Sequence, residues 1–231
     1  IELSVGASMG FATAFGSFSA AMMELVSAYL QVNAIGPAFD RMKPILKTLP
    51  EQQEDVGMPG DLTGAVEMSN VTFAYDEDSP PVIKDLSLRI KAGEYIGIVG
   101  SSGCGKSTLL KLLLGFEKPQ TGRIYYDGRD IDGIDKRELR KRFGVVLQNG
   151  GLITGSIHDN ITITTPSATI EQVKQAVRDA GLEKDVADMP MGLHTVLSEG
   201  DGSISGGQKQ RILIARAIVG KPKLLFFDEA T

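Results

Sequence analysis

Hydrophobic positions fall into two regimes along the chain. Between Glu2 and Glu24, residues 3–23 carry no charge, and a helix of that length, rising 1.5 Å per residue, crosses a hydrocarbon layer about 30 Å thick. Gly6 and Gly10 stand four apart, and Phe11, Phe15 and Phe18 share one helical face, as in helices that pack closely in lipid. A small-residue soluble helix has the same pattern. Arg41, Lys43 and Lys47 follow, which assigns the C-terminal side to the cytoplasm. From Asn33 to about Gly64 the chain turns polar, with Pro37, Pro44, Pro50 and Pro59 and the acidic Glu51, Glu54 and Asp55. That composition predicts a helical extension and then a linker.

Beyond it the periodicity alternates between two and 3.6. Residues 65–75 and 82–90 read as strands around the turn-prone 76–81, and 95–99 as a third strand. A helix is expected over 106–114, a hairpin around 122–128, a helix near 136–143 and a short strand over 144–147. A mainly helical region follows, with Thr169 and Gln172 in capping-box positions ahead of a helix over 170–180. Another helix over 206–219 leads into an apolar strand over 223–227. Alternation of this kind predicts an α/β fold.

Composition narrows the class. A net charge of −5 and a pI near 5.2 leave no broad basic surface for nucleic acid. The single cysteine, Cys104, makes no intrachain disulfide, which suits a reducing compartment such as the cytosol. No basic segment precedes the apolar run, so it does not resemble a cleavable signal. Ile1 at the start and Thr231 directly after an acidic strand end give the expectation of a longer chain cut at both ends.

Three motifs carry chemistry. Gly100-Ser101-Ser102-Gly103-Cys104-Gly105-Lys106-Ser107 fits G-x-x-x-x-G-K-S between an apolar run and a helix. Glycines let the backbone N–H groups turn toward phosphate oxygens, the helix start adds positive potential, Lys106 reaches the β and γ phosphates, and Ser107 can ligate Mg²⁺. Thr108 belongs to the same nucleotide-binding set; Cys104 fills a variable position and has no catalytic role. The second motif is an apolar strand ending in Asp228 and Glu229, where Asp228 can hold the Mg²⁺ shell and Glu229 can orient or deprotonate water. Solubility alone also places acids at strand ends.

The third motif is Ile204-Ser205-Gly206-Gly207-Gln208 followed by Lys209-Gln210-Arg211, a second anion site at a helix start. It resembles the signature sequence of ABC ATPases, with Ile204 in place of the more usual Leu. The resemblance covers residues 65 to 231 and implies an ABC-type P-loop fold: a mostly parallel core sheet, an antiparallel β part and a helical subdomain, preceded by one transmembrane helix. Ser205, Gly206, Gly207 and Gln208 would then contact ATP held by a facing second ATPase domain, in a homo- or heterodimer. Tyr75 matches the aromatic that stacks on adenine, Gln148 the glutamine that touches Mg²⁺ and water and senses the exporter membrane domain, and Glu199 an acid that contacts that domain's coupling helices. ATP and Mg²⁺ are the implied cofactors, and Glu229 and Gln148 the implied catalytic residues. The family's switch histidine matches neither His158 nor His194 and is expected beyond Thr231, as is the Asp-containing loop that follows Glu229.

On this reading residues 1–32 are the last membrane helix of an exporter, 33–64 a cytoplasmic helical extension and linker, and 65–231 the nucleotide-binding domain, incomplete at its C-terminus. Residues 39–46 resemble the helix leading into that domain. The chain would sit in a bacterial cell membrane with its ATPase part in the cytoplasm. Residues 191–195, Met-Gly-Leu-His-Thr, together with the loop Ser198-Glu199-Gly200-Asp201-Gly202, resemble bacterial exporters of bacteriocins and other ribosomal peptides; a multidrug or lipid exporter and a non-hydrolysing partner are the alternatives. A chromosome-organising ATPase fits poorly, because about 100 residues from Lys106 to Ser205 leave no room for a long coiled coil.

Overall fold

The computed structural model describes residues 4–48, 57–76, 78–197 and 204–228. The chain divides into two compact units, residues 1–53 and 54–231.

The first unit is one helix, α1 (Val5–Lys47). Ser4 caps it by accepting from the Ala7 N–H at 3.3 Å, and Thr48 closes it by donating its N–H (2.9 Å) and its Oγ1 (2.5 Å) to the Pro44 carbonyl. None of its residues is buried. Thr13 and Asn33 turn their polar groups back onto the carbonyls of Met9 and Tyr29, each at 2.9 Å, which removes two donors from the helix surface. By length and composition α1 can cross a membrane. It passes Asn33 without a break and contains Pro37 and Pro44.

The second unit is built around two hydrophobic clusters. In the first, β1 (Val66–Phe73), β2 (Ile83–Ile90), β3 (Thr121–Tyr126) and β4 (Arg129–Asp130) form an antiparallel sheet in the order β2-β1-β3-β4. Val66 stands between Ile90 and Tyr126 in that sheet. The buried positions of β1 are Val66 and Met68 and then Val71 and Phe73, two period-two runs separated by a register shift between Met68 and Val71, as expected of a sheet with one covered face. Helix α2 (Lys106–Leu113) buries Leu109, Leu112 and Leu113 in the same cluster. Helix α3 (Lys136–Arg140) buries Leu139 beside them, and the strands β5 (Phe143–Val146) and β8 (Leu224–Phe227) complete it. Tyr126, Phe143 and Phe226 touch ring to ring at 5.3 Å between successive centroids, and the buried Tyr126 hydroxyl donates to the Leu113 carbonyl at 2.5 Å.

The second cluster is helical. It gathers α4 (Ile157–Thr162), α5 (Ile170–Asp179), α6 (Glu183–Asp188) and α7 (Gly206–Ile218) around Ile161, Val173, Leu182 and Ile212. The short antiparallel pair β6 (Gly155–Ser156) and β7 (Val196–Leu197) borders it. The expected capping box at Thr169 and Gln172 is formed.

Two local expectations are corrected. Residues 95–99 make no strand: Tyr95 and Val99 are 95% and 93% exposed, and no ladder includes them among the described residues. Periodicity identified an apolar run, but a strand needs paired backbone groups and, in a parallel sheet, cover on both faces. The parallel part of the described fold is therefore the β5–β8 pair. The helix expected over 136–143 stops at Arg140 because Phe143 pairs with Leu224 and begins β5.

Candidate functional site

The phosphate loop leaves the exposed stretch after Gly93 and closes onto α2. Gly105 caps that helix with φ of +98°, in the left-handed region that glycine enters without steric cost. A Cβ there would lie 3.1 Å from Ile83 Cδ1 and 3.3 Å from the Val82 carbonyl oxygen. Lys106 is folded back over the loop, its ammonium donating to the carbonyls of Gly100 and Ser101, each at 2.9 Å, with Cys104 Sγ at 4.0 Å. Gly100 to Cys104 and Ser107 are exposed, and within the loop the Cys104 N–H donates to the Ser101 carbonyl at 3.3 Å. An exposed glycine-rich loop that opens a helix and carries one ammonium suits the charge of a polyphosphate.

Tyr75 lies next to this loop. Its ring meets Phe73 edge-on at 5.0 Å, its hydroxyl shares a 3.1 Å hydrogen bond with the buried Thr108 Oγ1, and Lys111 approaches that hydroxyl at 3.4 Å and the ring at 5.3 Å. Thr108 thus points inward to Tyr75. The half-exposed ring keeps an open face at the edge of the loop, where an adenine could stack.

Gln148 and Asp228 are brought together by strand pairing. Val146 is opposite Phe227 in the parallel β5–β8 pair, and the Asp228 N–H donates to the Val146 carbonyl at 2.9 Å. Both side chains therefore leave the same end of the pair. Gly144 makes this possible, since a Cβ there would fall 2.3 Å from the Ala217 carbonyl oxygen at the end of α7. One hydroxyl, one carboxamide and one carboxylate, from Ser107 on α2 and from Gln148 and Asp228 after the β5 and β8 strands, are the donors expected from the sequence, a chemically hard set. It suits Mg²⁺, which keeps several waters and takes one or two carboxylates together with substrate phosphates. No group of three or more His, Cys, Asp or Glu occurs among the described residues. Glu229 and Glu199 lie outside the described residues.

The signature residues start α7. Ser205 Oγ accepts from the Gln208 N–H at 3.2 Å, and Gln208 Oε1 accepts from the Ser205 N–H at 2.8 Å, a complete capping box. The Ser205, Gly206 and Gly207 positions are exposed. The Gln208 carboxamide is engaged at both ends: its Nε2 donates to Asp185 Oδ1 of α6 at 3.0 Å. Asp185 Oδ2 receives Arg211 Nη2 at 2.9 Å. The Gln208 hydrogen bond, then the Arg211 charge, hold the Asp185 carboxyl below its ordinary pKa.

Sequence reasoning missed Asp185, and it missed a polar node behind the loop that follows Gln148. Asn160 of α4 is fully buried. Its Oδ1 accepts from the Ile153 N–H and from Arg216 Nη2, both at 2.9 Å, and its Nδ2 donates to the carbonyls of Ile153 (2.9 Å) and Ser156 (3.0 Å). Arg216, on α7, also donates through Nε to the Asn160 carbonyl at 2.7 Å and through Nη1 to Gly151 at 3.0 Å. Burial lowers the Arg216 pKa, yet a guanidinium with these acceptors stays charged. The only signal in the sequence is an Asn and an Arg inside otherwise apolar helix faces.

A glycine-rich phosphate loop opening a helix, an acidic strand end and a second capped helix start define an α/β ATPase of the P-loop class. Within that class the chain belongs to the ABC transporter family, whose sequence profile matches residues 83–231. It is 40% identical over 231 residues to the exotoxin translocation ATP-binding protein PaxB of Pasteurella aerogenes, covering 100% of this chain and 32% of that protein. It is 39% identical over 230 residues to the alpha-hemolysin translocation ATP-binding protein HlyB of Escherichia coli O157:H7, covering 100% of this chain and 33% of that protein. A solved bacterial Atm1-family ABC exporter with ATP bound is 33% identical, with a TM-score of 0.73 over 86% of this chain and 35% of the exporter chain. The chain spans about a third of the length of these relatives.

Proposed function

We propose that this chain is the ATP-hydrolysing part of a bacterial exporter, in which ATP lies between the phosphate loop of one chain and the signature of a second. The observation that carries the reading is the pair of exposed anion-binding loops, Gly100–Ser107 and Ser205–Gln208, built on separate hydrophobic clusters. One loop binds and the other must be met from outside, which is the requirement of a head-to-tail pair of domains.

Within such a pair Lys106 and the loop N–H groups hold the β and γ phosphates, and Tyr75 stacks on the base. Ser107, Gln148 and Asp228 hold Mg²⁺, which when bound neutralises charge on the phosphate oxygens. Glu229 orients the attacking water, assisted by Gln148, and the partner's Ser205, Gly206 and Gly207 face the γ phosphate. Gln208 belongs to this group as the residue that shapes it. Phosphoryl transfer asks for positioning and charge more than covalent chemistry, and this residue set is suited to both.

Helix α1 supplies the membrane link. A proline at 37 or 44 gives its helix no N–H, so the carbonyls of Asn33 and Asp40 lack their usual donors. Such gaps are costly in hydrocarbon, and both fall after residue 32, on the side with Arg41, Lys43 and Lys47. That favours residues 5–32 as the spanning part and the rest of α1 as a cytoplasmic extension. The relatives' names speak of exotoxin and alpha-hemolysin translocation, which favours a polypeptide cargo over a drug or lipid.

The test is Mg²⁺-dependent ATP hydrolysis by the full-length protein in lipid nanodiscs. The Glu229→Gln variant is expected to bind a fluorescent ATP analogue like the parent and to turn over at least about a hundredfold more slowly. Turnover of that variant at the parent rate removes the catalytic assignment. Stimulation by polypeptides supports the cargo reading; stimulation by drugs or lipids alone replaces it.

A further inference from the structure

We propose that Asp185, on α6, is a positioning residue for the signature: it fixes the Gln208 carboxamide so that the Gly206 and Gly207 N–H groups stay aimed at a phosphate held by a second copy of this chain. The proposal rests on the function proposed above.

The geometry is specific to that task. A carboxamide has one end that accepts and one that donates, and its terminal torsion is broad and nearly two-fold. Rotated half a turn, Gln208 would present its NH₂ to the Ser205 N–H, donor against donor, and the capping box would open. The Asp185 carboxylate prevents that rotation, because Oδ1 accepts only from the NH₂ end, at 3.0 Å, while Oε1 receives Ser205 at 2.8 Å. The other oxygen takes Arg211 at 2.9 Å, one turn further along α7. A carboxylate that merely fastened α6 to α7 needs the part-buried arginine alone. The second contact instead reaches Gln208, one of the two side chains that close the signature onto its own backbone. Asp185 touches neither nucleotide nor reacting atoms; it acts through Gln208.

The readout that separates positioning from general damage is turnover against nucleotide affinity in the full-length protein in nanodiscs. Asp185→Ala is expected to lower kcat about tenfold while leaving affinity for a fluorescent ATP analogue, set by the chain's own phosphate loop, within about twofold. Asp185→Asn keeps an oxygen for Gln208 and is expected to recover kcat to within about threefold of the parent. Parent turnover in Asp185→Ala overturns the proposal, as does an equal loss in Asp185→Asn or a parallel loss of affinity. Gly207→Asp, which sets a carboxylate against the phosphate, serves as the control for the underlying reading. If Gly207→Asp stops turnover and Asp185→Ala does not change it, only the role of Asp185 falls; if Gly207→Asp turns over like the parent, the signature reading falls and this proposal with it.

Discussion

The two anion-binding loops solve the same chemical problem in opposite ways. The loop at Gly100–Ser107 has no side-chain cap on its helix, and its charge is turned inward, with Lys106 bonded to the loop's own carbonyls. The loop at Ser205–Gln208 is capped reciprocally and braced by Asp185 from another helix. The first must rearrange to bind, since Lys106 has to exchange two carbonyls for phosphate oxygens. The second is already shaped and awaits a ligand. On the proposed reading, preorganisation at the signature and adaptability at the phosphate loop make nucleotide binding and closure separable events.

Several substitutions test that contrast. The largest effect is expected from Lys106→Ala, which removes the one charge the adaptable loop contributes. Affinity for a fluorescent ATP analogue should fall about a hundredfold, and an unchanged affinity would end the phosphate-loop assignment. On the preorganised side, Arg216→Ala removes three hydrogen bonds, two to the buried Asn160 and one to the exposed Gly151 carbonyl. It should cost about 2 kcal/mol in the opening free energy read from amide exchange at Ile153, with the phosphate loop unaffected. Ser205→Ala removes half of the capping box and should cost about 1 kcal/mol, seen as faster exchange of the Gln208 amide.

Acid gives the smallest effect at neutral pH and the clearest sign. Asp185 is held below its ordinary pKa by Gln208 and Arg211, so its contribution is present above the unfolded value near 3.9 and disappears as pH falls through the lower folded value. Desolvation pushes Asp127 upward, but hydrogen bonds from Thr63, Ala65 and Gly64 outweigh it and leave that group lowered as well. Exchange at Gln208 in the parent should therefore quicken below about pH 4. In Asp185→Asn it should not respond to pH in that window beyond the intrinsic exchange trend, and identical profiles for the two proteins would disconnect Asp185 from the loop.

Features encoded locally could be read from the sequence. The signature helix and the Thr169 capping box each occupy a handful of consecutive residues and lie on the element expected for them; the phosphate loop opens its expected helix without the strand expected before it, and the acidic strand end is described as far as Asp228. What escaped depends on distance along the chain. Asp185 is 23 residues from Gln208 and Asn160 is 56 from Arg216; in the sequence they are ordinary helix polars, and only packing shows that they are partnered. Residues 95–99 escaped for the opposite reason: apolar composition is local, whereas pairing is not. The end of α3 was misplaced because Phe143 suits a helix and a strand equally, and its partner Leu224 lies 81 residues away.

Asn160 and Arg216 satisfy one another so completely that neither can vary alone. Every hydrogen-bonding position of the Asn160 side chain is used, and an aspartate in its place would set an oxygen against the carbonyls of Ile153 and Ser156. A lysine at 216 could not make the fork of three bonds that ties Asn160 to Gly151. Among descendants of this sequence the two positions are thus expected to change together or not at all, a shared inheritance between the stretch after Gln148 and the helix that carries the signature.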